Sequence, residues 1–454
     1  MHDATALAAS IAAGHLTAKA AMAASLDAAK RSQHLGALAR VEPQLGLARA
    51  DASDARYASQ RGPFEGVPFL AKDLGGYGAG LAPAAGNAAL RARSPDPEAS
   101  DELFEAFGSA GLVSFGLTTV PEFGLALTSE PPEGPVALNP FDAALSPGGS
   151  SGGAAAAVAA GIAAIAHATD AAGSTRVPAA CCGLVGLKAT QGRVPGAPHF
   201  NNFLMGIASE QVVTRSVRDA RAVFDAVKLD TGPAHSIERV GICLPAAASA
   251  DSAAKMDEVA GALAEAGCDV ARLPPIDEWG TRAQALTIPI FAASLANWLD
   301  GVGIDDAQIT PINAAMAARG RAMDAPTLFA NSTEMMRLSH EVAGLFEGHD
   351  ALIMPVLADG PPQVGFFDPN QTDVEARLDQ MNALAPNVAV ANVTGLPALA
   401  VPFGMMPAPR AHLPFGFQIM GPSGSDEALF ELASKIEALA PPIAFPNPIA
   451  GLSA

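Results

Sequence analysis

Within residues 1 to 60, two Ala-rich stretches carry apolar positions such as Leu7, Ile11, Leu16 and Leu26 at helical spacing, which predicts two helices. The texture then changes. Apolar runs at Val67 to Leu70 and Leu112 to Phe115 have strand length, and a helical pattern over Asp101 to Ser109 falls between them. Further strands are predicted at Val240 to Leu244, Ala351 to Met354, Ala398 to Val401 and Gly416 to Met420. A closing helix is predicted over Asp426 to Leu439, with Ser425 as its N-cap. Alternation of this kind predicts an α/β fold with a sheet between helical layers. The most apolar window, Gly152 to Thr169, is mostly Ala and Gly, which gain little from transfer into lipid, so it predicts a buried helix. Between about 196 and 345 the pattern is least regular, and this is the natural place for a substrate-covering region. No linker or internal repeat divides residues 1–454, so one domain is expected.

Composition sharpens this picture. With 50% hydrophobic and only 16% charged residues, the chain can bury a large core. A net charge of −19 with no Lys/Arg run makes nucleic acid and anionic membrane poor partners. The four cysteines, Cys181, Cys182, Cys243 and Cys268, are too few and wrongly spaced for a disulfide framework or a zinc site, and read as buried thiols. The histidines form no HExxH or comparable pair, so neither a catalytic metal nor a cofactor is expected. The N-terminus lacks the basic start and apolar core of a signal peptide, and a cytoplasmic location is expected.

Three separated residues carry the candidate chemistry: Lys72 in Ala71-Lys72-Asp73, Ser150 within the Gly/Ser cluster from Gly148 to Gly153, and Ser174 in Asp170-Ala171-Ala172-Gly173-Ser174-Thr175-Arg176. A nucleophilic serine needs a base, and with no histidine placed to serve, the available groups are two serines and a lysine; this points to acyl transfer. Lysine is a base only when neutral, which burial favours, and Lys72 closes an apolar run. Taken singly, each has a plainer reading: a surface lysine, a flexible turn, a helix cap. His167, seven residues before Ser174 on what reads as an Ala-rich helix, is a core or capping histidine. Gly148-Gly149-Ser150-Ser151-Gly152 also satisfies G-x-S-x-G, but that elbow needs a preceding strand, and Leu138 to Pro147 contains two prolines and reads as a loop.

The whole run from Ser146 to Gly192 resembles the amidase signature family, through the Gly/Ser cluster, the Asp170-to-Arg176 element and Cys182-Gly183-Leu184-Val185-Gly186-Leu187-Lys188. The resemblance extends to Gly66 through Asp73, Asn139-Pro140, Asn392 through Pro397 and Gly416 through Ile419. It implies a single-domain α/β/α sandwich with a large mixed central sheet. It also implies a triad in which Ser174 is the nucleophile, Ser150, after a cis peptide, bridges the proton, and Lys72 is base and later acid. The implied oxyanion donors are the backbone N–H groups of Ala171, Ala172, Gly173 and Ser174. Asp170 and Arg176 are implied scaffolding, with the carboxylate ordering the turn and the guanidinium answering it. A homodimer would be unsurprising.

Two departures refine the branch. Ala172 stands where the family commonly has glycine, a form similar to the branch with cyclic nylon-oligomer amidases and urethane (carbamate) hydrolases, as is the stretch Thr128 to Pro131. Leu117-Thr118-Thr119 replaces a common Lys-Thr-Asn, which weighs against the A subunit of a glutamyl-tRNA amidotransferase. Candidate substrate walls, chosen by position, are Phe123, Thr128, Phe200, Leu204, Met205, Ile207, Ile288, Phe291, Met316 and Phe367, each of which also reads as core. The absence of Arg or Lys from that set favours a small neutral, hydrophobic or aryl amide, ester or carbamate as substrate. The alternatives are the amidotransferase subunit and a catalytically dead relative kept for binding.

Overall fold

Runs of apolar residues become strands buried on both faces, as a sheet covered on two sides requires. The computed structural model describes residues 3–56, 59, 61–196, 204–230 and 232–452. Its strands are β1 (Leu38–Val41), β2 (Val67–Lys72), β3 (Leu112–Thr118), β4 (Ile165–Asp170), β5 (Val185–Lys188), β6 (Ser209–Thr214), β7 (Arg239–Cys243), β8 (Asp269–Leu273), β9 (Ala351–Pro355), β10 (Ala398–Met405) and β11 (Pro414–Met420). They form one 11-stranded sheet in the order β1-β3-β2-β4-β6-β5-β10-β11-β9-β7-β8. The sheet is mixed: β2 runs parallel to both β3 and β4, whereas β4 with β6 and β10 with β11 are antiparallel. Helices cover it, and buried hydrophobic clusters lie against its two faces. This is the expected large mixed sheet between helical layers.

The parallel register decides where chemistry can occur. Phe69 pairs with Ile165 and Leu70 with Ala166, so the ends of β2 and β4 emerge side by side and bring Lys72 close to Thr169 and Asp170. A single sheet edge thereby gathers residues about a hundred positions apart.

Four readings need correction. The window from Gly152 to Thr169 is not one helix: a helix runs Gly152–Ala159, and β4 begins at Ile165. Ala-rich composition hides the break, but Gly161 adopts φ +76°, its N–H donating to Val158 O at 3.1 Å and that of Ile162 to Ala157 O at 2.9 Å. This paired closure ends the helix and turns the chain into the sheet. His167 therefore lies on β4. Among the described residues, positions 1 to 60 hold three α-helices, Ala4–Ala12, Ala18–Arg31 and Pro43–Asp54, a 3-10 turn at Gln33–Leu35 and the short strand β1, which is satisfied by antiparallel pairing with β3. The stretch from 204 onward is regular: it supplies β6 to β8 and the helices Val217–Val227, Ala250–Glu265, Asp277–Val302, Pro311–Ala322 and Ala325–Gly344. Pro289 inside the Asp277–Val302 helix obscures its pattern. That helix is long and apolar enough to cross a membrane by length and composition, but 56% of its most apolar window is buried, and it packs against the Pro311–Ala322 and Ala325–Gly344 helices. Finally, Ser425 precedes the Asp426–Leu439 helix as expected, but its Oγ donates to Pro422 O and caps no helical N–H.

Every residue of the Gly152–Ala159 helix is buried. A Cβ on Gly153 would come within 2.4 Å of Thr119 N and 2.6 Å of Ala37 O, whereas one on Gly261, on the exposed face of the Ala250–Glu265 helix, would meet nothing within 4 Å. Gly153→Ala is therefore expected to cost about 1–3 kcal/mol by overpacking backbone that has no room to yield. Gly261→Ala is expected to add about 0.5–1 kcal/mol by helix propensity. Urea unfolding of the two variants beside the parent protein checks both signs.

Candidate active site

Lys72 closes β2 and is fully buried. Its Nζ donates to Ser150 Oγ at 2.8 Å and to Thr169 Oγ1 at 2.6 Å. Burial pulls its pKa down to about 7, against a weaker upward influence of the Asp170 and Glu210 carboxylates. No carboxylate forms an ion pair with it among the described residues. A desolvated ammonium without a partner loses its proton readily, so near neutral pH a substantial fraction of Lys72 is free amine.

Ser150 enters from the loop before the Gly152–Ala159 helix, directly after a cis Gly149–Ser150 peptide bond, in agreement with the expectation for this position. Glycine is required at 149, where a Cβ would lie 2.3 Å from Thr128 O. Ser129 Oγ holds the loop by donating to Gly148 O at 3.1 Å and accepting from Gly152 N–H at 2.9 Å. Ser151 Oγ donates to Thr169 O and accepts from Thr169 N–H, both at 3.2 Å, which fastens the loop to β4. The Ser151 N–H in turn donates to Ser174 O at 3.2 Å, bringing the second serine-bearing segment alongside.

The Ser174 turn hangs on a buried ion pair. Arg176 Nε donates to Asp170 Oδ2 at 2.9 Å and Nη2 to Asp170 Oδ1 at 3.0 Å, with both side chains fully buried. Asn392 Nδ2 donates to Asp170 Oδ1 at 3.0 Å, and Arg176 Nη1 donates to Gln418 Oε1 at 2.7 Å. Burial alone would raise the Asp170 pKa, but Arg176, with Asn392 and the Gly173 N–H, holds it at about 2. The scaffold role implied for this pair is what the geometry presents.

The oxyanion expectation is narrowed. Gly173 N–H donates to Asp170 Oδ1 at 2.7 Å, so it is engaged inside the turn and not free for a substrate oxygen. Ala171, Ala172 and Ser174 line the adjoining cavity, and Gly173 does not. A carboxylate placed to accept from the turn takes this N–H away, which the motif alone could not reveal.

That cavity has a volume of about 550 Å³ and is lined mainly by apolar side chains, with Ser150, Thr169 and Ser174 at one wall. Of the predicted wall residues, Phe123, Leu204, Phe291 and Met316 line it. Phe123 packs edge-to-face on Trp298 with centroids 5.3 Å apart. Thr128, Ile207, Ile288 and Phe367 are buried but do not line it; they support neighbouring layers instead. Met205 is 41% exposed and also lies off the cavity, while Phe200 falls outside the described residues. Phe291, Leu295, Trp298 and Val302 form one stripe of the Asp277–Val302 helix, so what this stretch of chain presents to the cavity is mainly a helix rather than loops. Sequence reasoning missed Thr169, although it adjoins the Asp170 motif, and missed Arg377, Leu378 and Met381, which share one face of the Val374–Leu384 helix. Arg377 adds to the wall a cation that the candidate set lacked.

His167 is a core histidine, as expected. Its Nδ1 accepts the Lys72 backbone N–H at 3.3 Å, which puts the ring proton on Nε2, 2.9 Å from Glu210 Oε2. The thiols of Cys181, Cys182 and Cys243 are buried and shifted upward by that burial, Cys268 is half-buried, and all four are free.

Comparison with known proteins gives the family and the fold. The family model described as Amidase matches residues 20–430. The 6-aminohexanoate-cyclic-dimer hydrolase of Pseudomonas sp. (strain NK87) is 30% identical over 424 residues, covering 84% of this chain and 85% of the relative. A structure of 6-aminohexanoate cyclic dimer hydrolase complexed with substrate superposes with a TM-score of 0.88 at 26% identity, covering 98% of this chain and 99% of the other. A bacterial aryl acylamidase structure of the amidase signature family shares the fold, with a TM-score of 0.83 at 21% identity over 100% and 99% of the two chains.

Removing one partner of a buried pair leaves the other charged and uncompensated. Asp170→Asn is therefore expected to lose about 3–5 kcal/mol of stability, measured by denaturant unfolding, with a larger loss than Glu341→Gln, whose contacts with Arg282 and Trp279 are solvent-exposed.

Proposed function

The chain belongs to the amidase family and is an amide hydrolase, and from that premise we propose that Ser174 attacks the carbonyl carbon with Ser150 and Lys72 as its proton relay. The observation that carries this reading is the fully buried contact of Lys72 Nζ with Ser150 Oγ at 2.8 Å, beside the cavity that Ser174 lines.

The steps follow from the groups present. Ser174 Oγ forms a bond to the carbonyl carbon while its proton passes to Ser150, and the proton of Ser150 passes to the neutral Lys72 amine. Negative charge develops on the carbonyl oxygen and is met by backbone N–H groups drawn from Ala171, Ala172 and Ser174. On collapse the C–N bond breaks, and the departing nitrogen takes a proton back from Lys72 through Ser150. Water then attacks the Ser174 ester, loses its proton along the same relay, and releases the acid as Ser174 regains its own. Thr169 Oγ1 accepts from Lys72 Nζ and so holds it aimed at Ser150.

The substrates proposed are small molecules with hydrophobic or aryl bodies, because the apolar cavity favours them; esters and carbamates that present the same carbonyl geometry fit the same relay. The 2.8 Å Lys72–Ser150 contact supports an active catalyst over a dead relative.

A fluorophosphonate probe is expected to label Ser174, with labelling lost in Ser174→Ala; an unlabelled, folded parent protein would overturn the assignment. The purified chain is expected to hydrolyse anilides without other subunits. Lys72→Ala and Ser150→Ala are each expected to lower kcat by at least about a thousandfold, because the relay acts as a unit. Steady-state kinetics on an anilide reads this, and near-parental turnover in either variant would reassign the roles.

The pH profile has a definite sign. The relay needs Lys72 neutral, so kcat/KM is expected to climb with pH, bend near the Lys72 pKa of about 7, and stay flat above it. Glu210 raises that pKa, so Glu210→Gln is expected to move the bend to lower pH. A pH–rate series on both proteins checks it, and a bend that stays fixed would exclude Lys72 as the titrating group.

A further inference from the structure

Among the described residues, Arg377 is the only charged side chain lining the catalytic cavity. It is 3% exposed. Its Nε donates to Gln371 Oε1 at 3.0 Å, its Nη2 donates to the Asp368 carbonyl, and the guanidinium lies 5.2 Å over the Phe367 ring. These contacts fix its plane. They are all made to neutral groups, and Nη1 has no hydrogen-bond partner among the described residues.

The charge is unanswered as well. Arg377 forms no ion pair among the described residues, and the Asp368 carboxylate is taken up by Asn370, whose backbone N–H and Nδ2 donate to it at 2.9 and 3.2 Å. The other two arginines buried to this degree are matched, Arg176 to Asp170 and Arg193 to Asp426 and Glu427, whereas the half-buried Arg49 and Arg215 donate to neutral groups and lie outside the cavity. Burial pulls the Arg377 pKa below the ordinary arginine range, with Asp368 opposing, yet a guanidinium stays protonated at neutral pH. An unpaired buried charge costs free energy that a partner carboxylate would recover, and arginine's planar fork suits that partner. Packing alone does not call for arginine here, since methionine and leucine occupy the neighbouring cavity-lining positions of the same helix, at Leu378 and Met381.

We propose that Arg377 forms a carboxylate-binding subsite of the catalytic cavity, so that favoured substrates pair a hydrophobic body with a carboxylate remote from the scissile amide. This rests on the proposed reading of Ser174 as the reacting end of the same cavity. Acid-bearing amides, such as half-amides of dicarboxylic acids or linear amides ending in a free acid, are the class it describes. The hydrophobic body still fills the apolar walls, and the departure from a wholly neutral substrate lies at the Arg377 end alone.

The test measures binding, so that its outcome is separate from turnover. In the Ser174→Ala protein, calorimetry compares phenylalkanoates of increasing chain length with phenylalkanols of the same length. At one length or more the carboxylate is expected to bind at least about 10-fold more tightly, the scale of one hydrogen bond to a charged group. Adding Arg377→Gln is expected to abolish the difference while changing alcohol affinity less than about 3-fold, and Arg377→Lys to restore part of it, as a point charge without the fork. Equal affinity for acid and alcohol at every length in the Ser174→Ala protein would overturn the proposal whatever the variants do. So would a preference that survives Arg377→Gln, since the acid would then sit at the Ala171–Ser174 turn. An equal loss for acid and alcohol would overturn it too, leaving Arg377 only a brace for Phe367 and the Asp368 carbonyl. Should the Gln variant fail to fold by circular dichroism, the Lys variant is read instead, and an undiminished preference there counts against the proposal. Loss of fluorophosphonate labelling or of anilide turnover bears on Ser174 and leaves this binding result standing.

Discussion

Lys72 is fully buried and, among the described residues, no carboxylate pairs with it, and the arrangement around the cavity depends on that constraint. An ammonium there is costly, so the amine approaches neutrality near pH 7, the state the proposed relay needs in the absence of a histidine. The burial is a property of the sheet: β2 is flanked by β3 and β4, away from either sheet edge, and its last residue is capped by the Ser150 loop and by Thr169. The Asp170 and Glu210 carboxylates act in the opposite direction from a distance, and they moderate the shift without abolishing it.

The second constraint is the Asp170–Arg176 pair. It is fully buried and joined by Asn392 and Gln418, side chains from the Val388–Val393 helix and β11, so that one charged cluster ties the Ser174 turn to distant parts of the sheet. The same carboxylate engages Gly173 N–H, which shapes the turn and at the same time withdraws one donor from the cavity. Around this rigid floor the lid is helical. The stripe Phe291, Leu295, Trp298 and Val302 lines the cavity together with residues of the Val374–Leu384 helix, so these walls stand on packed helices.

Much of this was legible in the chain. The strands at β2, β3, β7, β9, β10 and β11 were visible because their apolar runs are short, β-branched or aromatic, and bounded by turn residues. Where the residues are mostly alanine, composition speaks for helix on both sides of a break, and only Gly161 betrays that the Gly152–Ala159 helix ends before β4. The Asp277–Val302 helix was obscured for another reason: it is buried on several sides and contains Pro289, so no single clean stripe marks it. The wall residues were harder still. Ile288 and Phe291 are three residues apart on one helix, yet the first fills core and the second faces the cavity, a difference of rotation that residue type does not encode.

By itself the sequence determined the chemical parts: a lysine after an apolar run, a serine in a glycine cluster, a second serine in an Asp-to-Arg turn, and an α/β alternation able to hold them. These are local facts, set by residue type and short-range backbone preference. The tertiary structure decided how far apart the parts stand, that Thr169 joins Lys72, that Asp170 claims the Gly173 N–H, and that Arg377 reaches the cavity with its charge unmatched. Desolvation and hydrogen-bond competition depend on which surfaces meet, and those meetings join residues a hundred or more positions apart through sheet register and helix rotation.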